Sequence, residues 1–180
     1  VNEQNYQGVL LLDMVGTFQL FFADEARQLL KFAADNNVKP IVVSDSTREQ
    51  IIKDLQEIGL EEAEFPEIIE SENKKSYAFY NDLSTRFGVT TDRIILLDDD
   101  DYKLQTFVAK HGVVCLHFQH MGSRFDPRFQ TRQYTGEGED GFAEPVLGLQ
   151  GIDNIIATWP PVRGSVAAQI THVKTETQKL

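Results

Sequence analysis

One cysteine in 180 residues leaves no intrachain disulfide to form. Cys115 lies in an apolar, strand-like run, which predicts a buried, inert thiol and fits a reducing compartment. Long apolar runs are missing as well. None approaches the roughly 20 residues a membrane helix needs, and the longest, around residues 8–12, is strand-sized. No basic segment followed by an apolar one opens the chain, so no signal peptide is visible and a cytoplasmic location is expected. Basic charge is scarce. Against 28 Asp and Glu stand 17 Lys and Arg, a net charge of −11. Phosphate backbones are held by basic footprints, so no nucleic-acid partner is expected. Internal repeats are also lacking.

What is present is ordinary for a globular chain. Hydrophobic content is 41% and charged content 25%, enough for one sizeable core. Strand-like runs fall at 8–12, 40–44, 67–70, 93–97 and 112–118. Helix-like stretches lie between them at 24–36, 46–58, 76–87 and 101–111. In the second helix Ser46 and Glu49 stand at capping-box spacing, and Gly59 ends it. This alternation predicts an α/β fold with a parallel sheet covered on both faces, and the continuous apolar strands agree. Beyond Phe118 the pattern decays into the Gly-rich "QHMGSRFDPRFQTRQYTGEGEDGF". Residues 1–118 are therefore expected to form the core. Residues 119–180 would be an irregular extension with one short helix in "LQGIDNIIATW" and a tail.

In such sheets ligands sit where strands end, near a switch in strand order. The first strand ends at Asp13, the second at Ser44 and the fourth at Asp98 and Asp99. Lys74 and Lys75 precede the third long helix. A carboxylate, a hydroxyl, an ammonium and an acidic pair suit phosphoryl transfer. The first attacks phosphorus, the next two hold its oxygens, and carboxylates hold a hard cation such as Mg²⁺.

This order of parts resembles the haloacid dehalogenase-like superfamily, most of whose members are Mg²⁺-dependent phosphatases. The resemblance rests on "LLLDMVGTF", "PIVVSDST", the lysine pair and "IILLDDDD", and it spans about residues 8–118. It implies a Rossmann-like core with a five-stranded parallel sheet, order 5-4-1-2-3, and short connections leave no room for a large cap. It implies Asp13 as nucleophile forming an aspartyl-phosphate. Ser44, Asp45 and Lys75, with Lys74 as the alternative, would hold the phosphate. Asp13, Asp98, Asp99 and the backbone carbonyl of Val15 would hold Mg²⁺. A capless site admits large phosphorylated substrates, so phosphoproteins or other macromolecular phosphoesters are favoured over small sugar phosphates. Receiver domains use similar parts in another order, with the acidic pair first and the lysine last.

The departure is Val15. Relatives place a second Asp there as general acid–base, help typically worth ~10²–10⁴-fold in rate. Three readings stay open. The chain is a phosphatase that manages without this group, a phosphate- or partner-binding module that does not turn over, or an enzyme for another reaction of the superfamily. The last fits poorly, since those branches usually carry a helical cap.

Other motifs point to structure. "GEGEDG" follows no strand and carries three acids, which favours a loop over a nucleotide site. Cys115, His117 and His120 lack further zinc-type partners. The aspartate run is not an EF-hand, because Lys103 and Ala109 stand where Gly and Glu are needed. Phe18, Phe21 and Phe22 are expected to pack in the core or a flap.

Overall fold

The computed structural model describes residues 6–71, 74, 76–100, 102–121, 128–136 and 138–161, with backbone alone at 102–105. The first strand, β1 (Gly8–Asp13), is buried along its whole length. Its side chains alternate between two cores, Leu10 and Leu12 to one and Val9 and Leu11 to the other. Gly8 is required by packing, since a Cβ there would overlap the Trp159 ring and the Arg93 carbonyl.

A 3₁₀ turn, Phe18–Leu20, leads from β1 to α1 (Ala23–Asp35). Ala26, Leu29 and Ala33 form the buried stripe of α1 at helical spacing. Next come β2 (Val38–Ser44) and α2 (Arg48–Ile58). The cap of α2 is Thr47, whose hydroxyl accepts from Gln50 N at 3.2 Å, and not Ser46. The Ser46 amide instead donates to Ser44 Oγ at 3.2 Å, so the helix starts later than the sequence suggests. Gly59, at φ 109°, closes α2 in the left-handed conformation that favours glycine.

The chain continues through β3 (Glu67–Glu70), α3 (Tyr77–Phe87), β4 (Ile94–Asp98), α4 (Tyr102–Ala109) and β5 (Val114–His120). It then forms β6 (Phe129–Gln133), β7 (Val146–Leu147) and α5 (Gln150–Ile156).

The sheet has seven strands, in the order β3-β2-β1-β4-β5-β6-β7. This corrects the expected five. The first five strands are parallel and in the expected order, and β6 and β7 add to the β5 edge in antiparallel fashion. The stretch read as irregular apart from one short helix therefore also supplies two strands to the same sheet. β6 buries only alternate residues, Phe129 and Thr131, so it carries no apolar run. α5 covers that face, burying Ile152, Ile155 and Ile156 in the core that holds Leu10, Leu12, Leu29 and Phe129. A Cβ at Gly151 would overlap Thr131 Oγ1, which is why the helix can lie so close. The tail from residue 162 onward lies outside the described residues. Among the described residues no helix is long and apolar enough to cross a membrane.

Candidate active site at the carboxyl edge of the sheet

β1 pairs with β2 on one side and β4 on the other, so strand order switches at β1. Crevices at such points are where open α/β sheets bind ligands. Leu12 stands opposite Leu97, which sets Asp13 level with Asp98 across the switch. Asp13 faces Val43, which puts Ser44 one residue further on. Ser44 is buried, and Asp45 is exposed.

Carboxylate oxygens of Asp13, Asp98 and Asp99 lie within 4.8 Å of one another. The Lys74 ammonium joins two of these groups, with Nζ 2.5 Å from Asp13 Oδ1 and 3.3 Å from Asp98 Oδ2. Lys75, the lysine the sequence favoured, lies outside the described residues, and it is Lys74 that the structure brings to the site. The Lys74 carbonyl accepts from the fully buried Tyr80 hydroxyl at 2.6 Å, which ties this loop to the core through α3.

The loop after Asp13 is locked to the end of β4. Thr17 Oγ1 accepts from Asp99 N at 3.0 Å and lies 3.2 Å from Asp99 Oδ1 and 3.4 Å from Asp13 Oδ2. Its one hydroxyl proton can serve only one carboxylate at a time. Gly16, at φ 77°, leaves room for the Asp99 carboxylate, which a Cβ would overlap. The Asp100 amide donates to Asp98 Oδ1 at 3.0 Å. Thr17 and Tyr80 were missed as site residues. Thr17 was in view inside "LLLDMVGTF", but a lone hydroxyl in a loop names no partner. Tyr80 reads as an ordinary core position of a helix.

Electrostatics set this cluster apart. Burial first, then the Asp98 charge, raises the Asp13 carboxyl to about 7 although Lys74 opposes the rise. Asp98 is raised too, chiefly by burial. Burial works against the Lys74 charge, but Asp98 and Asp13 outweigh it and hold that ammonium above its ordinary range. Among the described residues one ammonium, Lys74, pairs with Asp13 and Asp98 of the three carboxylates, so the ionised cluster is short of positive charge. An all-oxygen donor set with such a shortfall fits a hard divalent cation. Among the described residues this is the only cluster of three potential metal-ligating side chains.

The remaining candidates fall to structure. His120 Nε2 lies 3.1 Å from Glu25 Oε1, and its ring sits among Phe21, Phe22 and Phe118. Cys115 is buried, with its thiol pushed up to about 12, chiefly by burial. Phe18 and Phe21 are core, whereas Phe22 is 45% exposed. Val15 is 54% exposed beside the cluster, in the loop that follows Asp13.

No family model matches the sequence, and no curated protein matches it. Among solved structures the chain is similar to the core domain, determined by NMR, of a candidate phosphoglycolate phosphatase from Streptococcus pneumoniae TIGR4. Identity is 17% and the TM-score 0.54, over 85% of this chain and 97% of that one. The strand order, the switch at β1 and this similarity together give the chain the same α/β fold as that core domain.

Proposed function

We propose that the protein is a Mg²⁺-dependent phosphomonoesterase that works through a phospho-Asp13 intermediate. The observation that carries this reading is the convergence of Asp13, Asp98, Asp99 and Lys74 at the switch point. The ionised Asp13 carboxylate attacks phosphorus, and the ester oxygen leaves with its bonding pair. Lys74 and Ser44 hold the phosphoryl oxygens, with Asp45 at the same strand end. Thr17 and Tyr80 keep the two loops in register. Asp13, Asp98, Asp99 and the Val15 carbonyl would hold Mg²⁺, which when bound offsets the charge between an anionic nucleophile and an anionic ester. Phosphorylated macromolecules are accommodated as substrates by this reading.

The test is phosphate release from 4-nitrophenyl phosphate with Mg²⁺ and with chelator. The reading expects release that Asp13→Asn and chelation each abolish. Release that survives Asp13→Asn overturns it. A second reading, a phosphate-binding module without turnover, is favoured by Val15 alone. It expects a silent chain that Val15→Asp awakens.

A further inference from the structure

Among the described residues, seven large apolar side chains are well exposed. Five of them, Val15, Leu20, Phe22, Tyr77 and Met121, fall at the carboxyl edge of the sheet, on the segments that follow β1 and β5 or open α3. Phe107 and Leu147 are the two elsewhere. The carboxylate–ammonium cluster thus shares its edge of the sheet with most of the exposed apolar side chains among the described residues, here called the rim. Exposed apolar patches beside a built polar site mark the part of a ligand that is not charged. The rim is also anchored. The Phe22 ring packs on His120 at 5.7 Å, and the Leu20 amide donates to Thr17 O at 3.0 Å, so the turn is fixed to the loop that carries the site.

A second observation points the same way. The loop that follows Asp13 presents Val15 outward, a side chain with no proton to give. A departing alkoxide needs that proton, because its conjugate acid is very weak. A departing phenolate does not, because it is stable enough to leave unaided near neutral pH, the ordinary phenol pKa being about 10.

We infer that the substrate class is the aryl phosphate monoester, with the aromatic ring on the rim of Val15, Leu20, Phe22 and Met121. This rests on the phosphatase reading above. In the step, a bond forms between Asp13 Oδ and phosphorus and the bond from phosphorus to the aryl oxygen breaks. The electron pair leaves on the phenolate, which takes its proton from water. A water then adds its oxygen to phosphorus, Asp13 departs as carboxylate, and the spare proton goes to solvent.

The test has two arms on the full chain with Mg²⁺. The first compares kcat/KM for phenyl phosphate, cyclohexylmethyl phosphate, glycerol phosphate and acetyl phosphate. Acetyl phosphate has the better leaving group without a ring, and cyclohexylmethyl phosphate has apolar bulk without the leaving group. The inference expects phenyl phosphate to exceed both alkyl esters by at least ~100-fold. Acetyl phosphate is turned over but with a higher KM than phenyl phosphate. Asp13-dependent release at equal rates from alkyl and aryl esters overturns the inference while leaving the phosphatase reading intact. Release from no ester, or release independent of Asp13, fails that reading instead. The second arm measures, by calorimetry, binding of benzylphosphonate against methylphosphonate, neither of which can be hydrolysed. Benzylphosphonate is expected to bind more tightly, and Leu20→Ser with Phe22→Ser to cut its advantage roughly fivefold. An unchanged ratio in a folded variant overturns the rim assignment. A phosphotyrosyl peptide beside phenyl phosphate tells whether the ring arrives on a chain or free. Either, if well above a phosphoseryl peptide, supports the class.

Discussion

Asp13→Asn is expected to stabilise the metal-free protein above neutral pH while removing its proposed nucleophile. Burial and the neighbouring Asp98 charge raise the Asp13 carboxyl from its ordinary 3.8 to about 7 in the folded state. Between about pH 4 and pH 7 the unfolded chain has therefore released this proton while the folded chain keeps it. Stability falls as pH rises through that window, and above it the full cost of the ionised group is present. A rise of that size corresponds to about 4 kcal/mol. Neutralising Asp13 also weakens its pairing with Lys74, but Lys74 keeps Asp98 Oδ2 at 3.3 Å. A net gain of about 1–2 kcal/mol at pH 8 is expected, shrinking to within about 0.5 kcal/mol at pH 4, where the carboxyl is protonated in the folded chain and only about half ionised in the unfolded one. Urea unfolding in chelator at the two pH values measures the difference. Added Mg²⁺ should stabilise the native chain more than the variant. A variant less stable than the native chain at pH 8 would refute the reasoning, since it would make the Asp13–Lys74 pair a net stabiliser that outweighs burial.

Lys74→Met removes an ammonium bonded to both Asp13 and Asp98, so a loss of about 3 kcal/mol at pH 8, smaller at pH 4, is expected from the same unfolding curves. Gly151→Ala sets a Cβ against Thr131 Oγ1 and should cost about 1–3 kcal/mol, whereas Gly151→Ala combined with Thr131→Ala should cost less than the two single changes together. Among the described residues the buried Thr131 hydroxyl has no hydrogen-bond partner, so Thr131→Val should be nearly neutral or stabilising in thermal unfolding. Cys115, pushed up to about 12, should react with a thiol reagent at pH 8 only when the chain is unfolded in urea, and rapid labelling of the native protein would contradict its burial.

The parallel half of the fold was legible because burial on both faces leaves runs such as "VLLL" and "IILL" that have no other use. Helix ends were legible where Gly59 and Gly88 take the left-handed conformation. β6 and β7 were not. One face of β6 is covered by α5 and the other is wet, so its sequence "FQTRQ" reads as polar, and its buried Thr131 looks like any loop residue. In the site, the carboxylates were legible because an acid ending an apolar strand is costly without a partner. The place of Lys74 between Asp13 and Asp98 was not, because no periodicity in "SENKKS" orients either lysine. The Thr17 bridge depends on a pairing between residues 82 positions apart, which no local pattern encodes.

That same bridge joins the assembly of the site to the assembly of the protein. Asp13 and Asp99 become neighbours only after β4 has inserted beside β1, with β2 and β3 already led away to the other side. A chain in which β4 has not docked still carries every residue of the cluster and has no cluster. Retention of the proposed cation would then gauge whether the central strands are closed. Conversely, that cation, when bound, would act as a clamp, adding its binding free energy to the longest-range pairing in the sheet's parallel half.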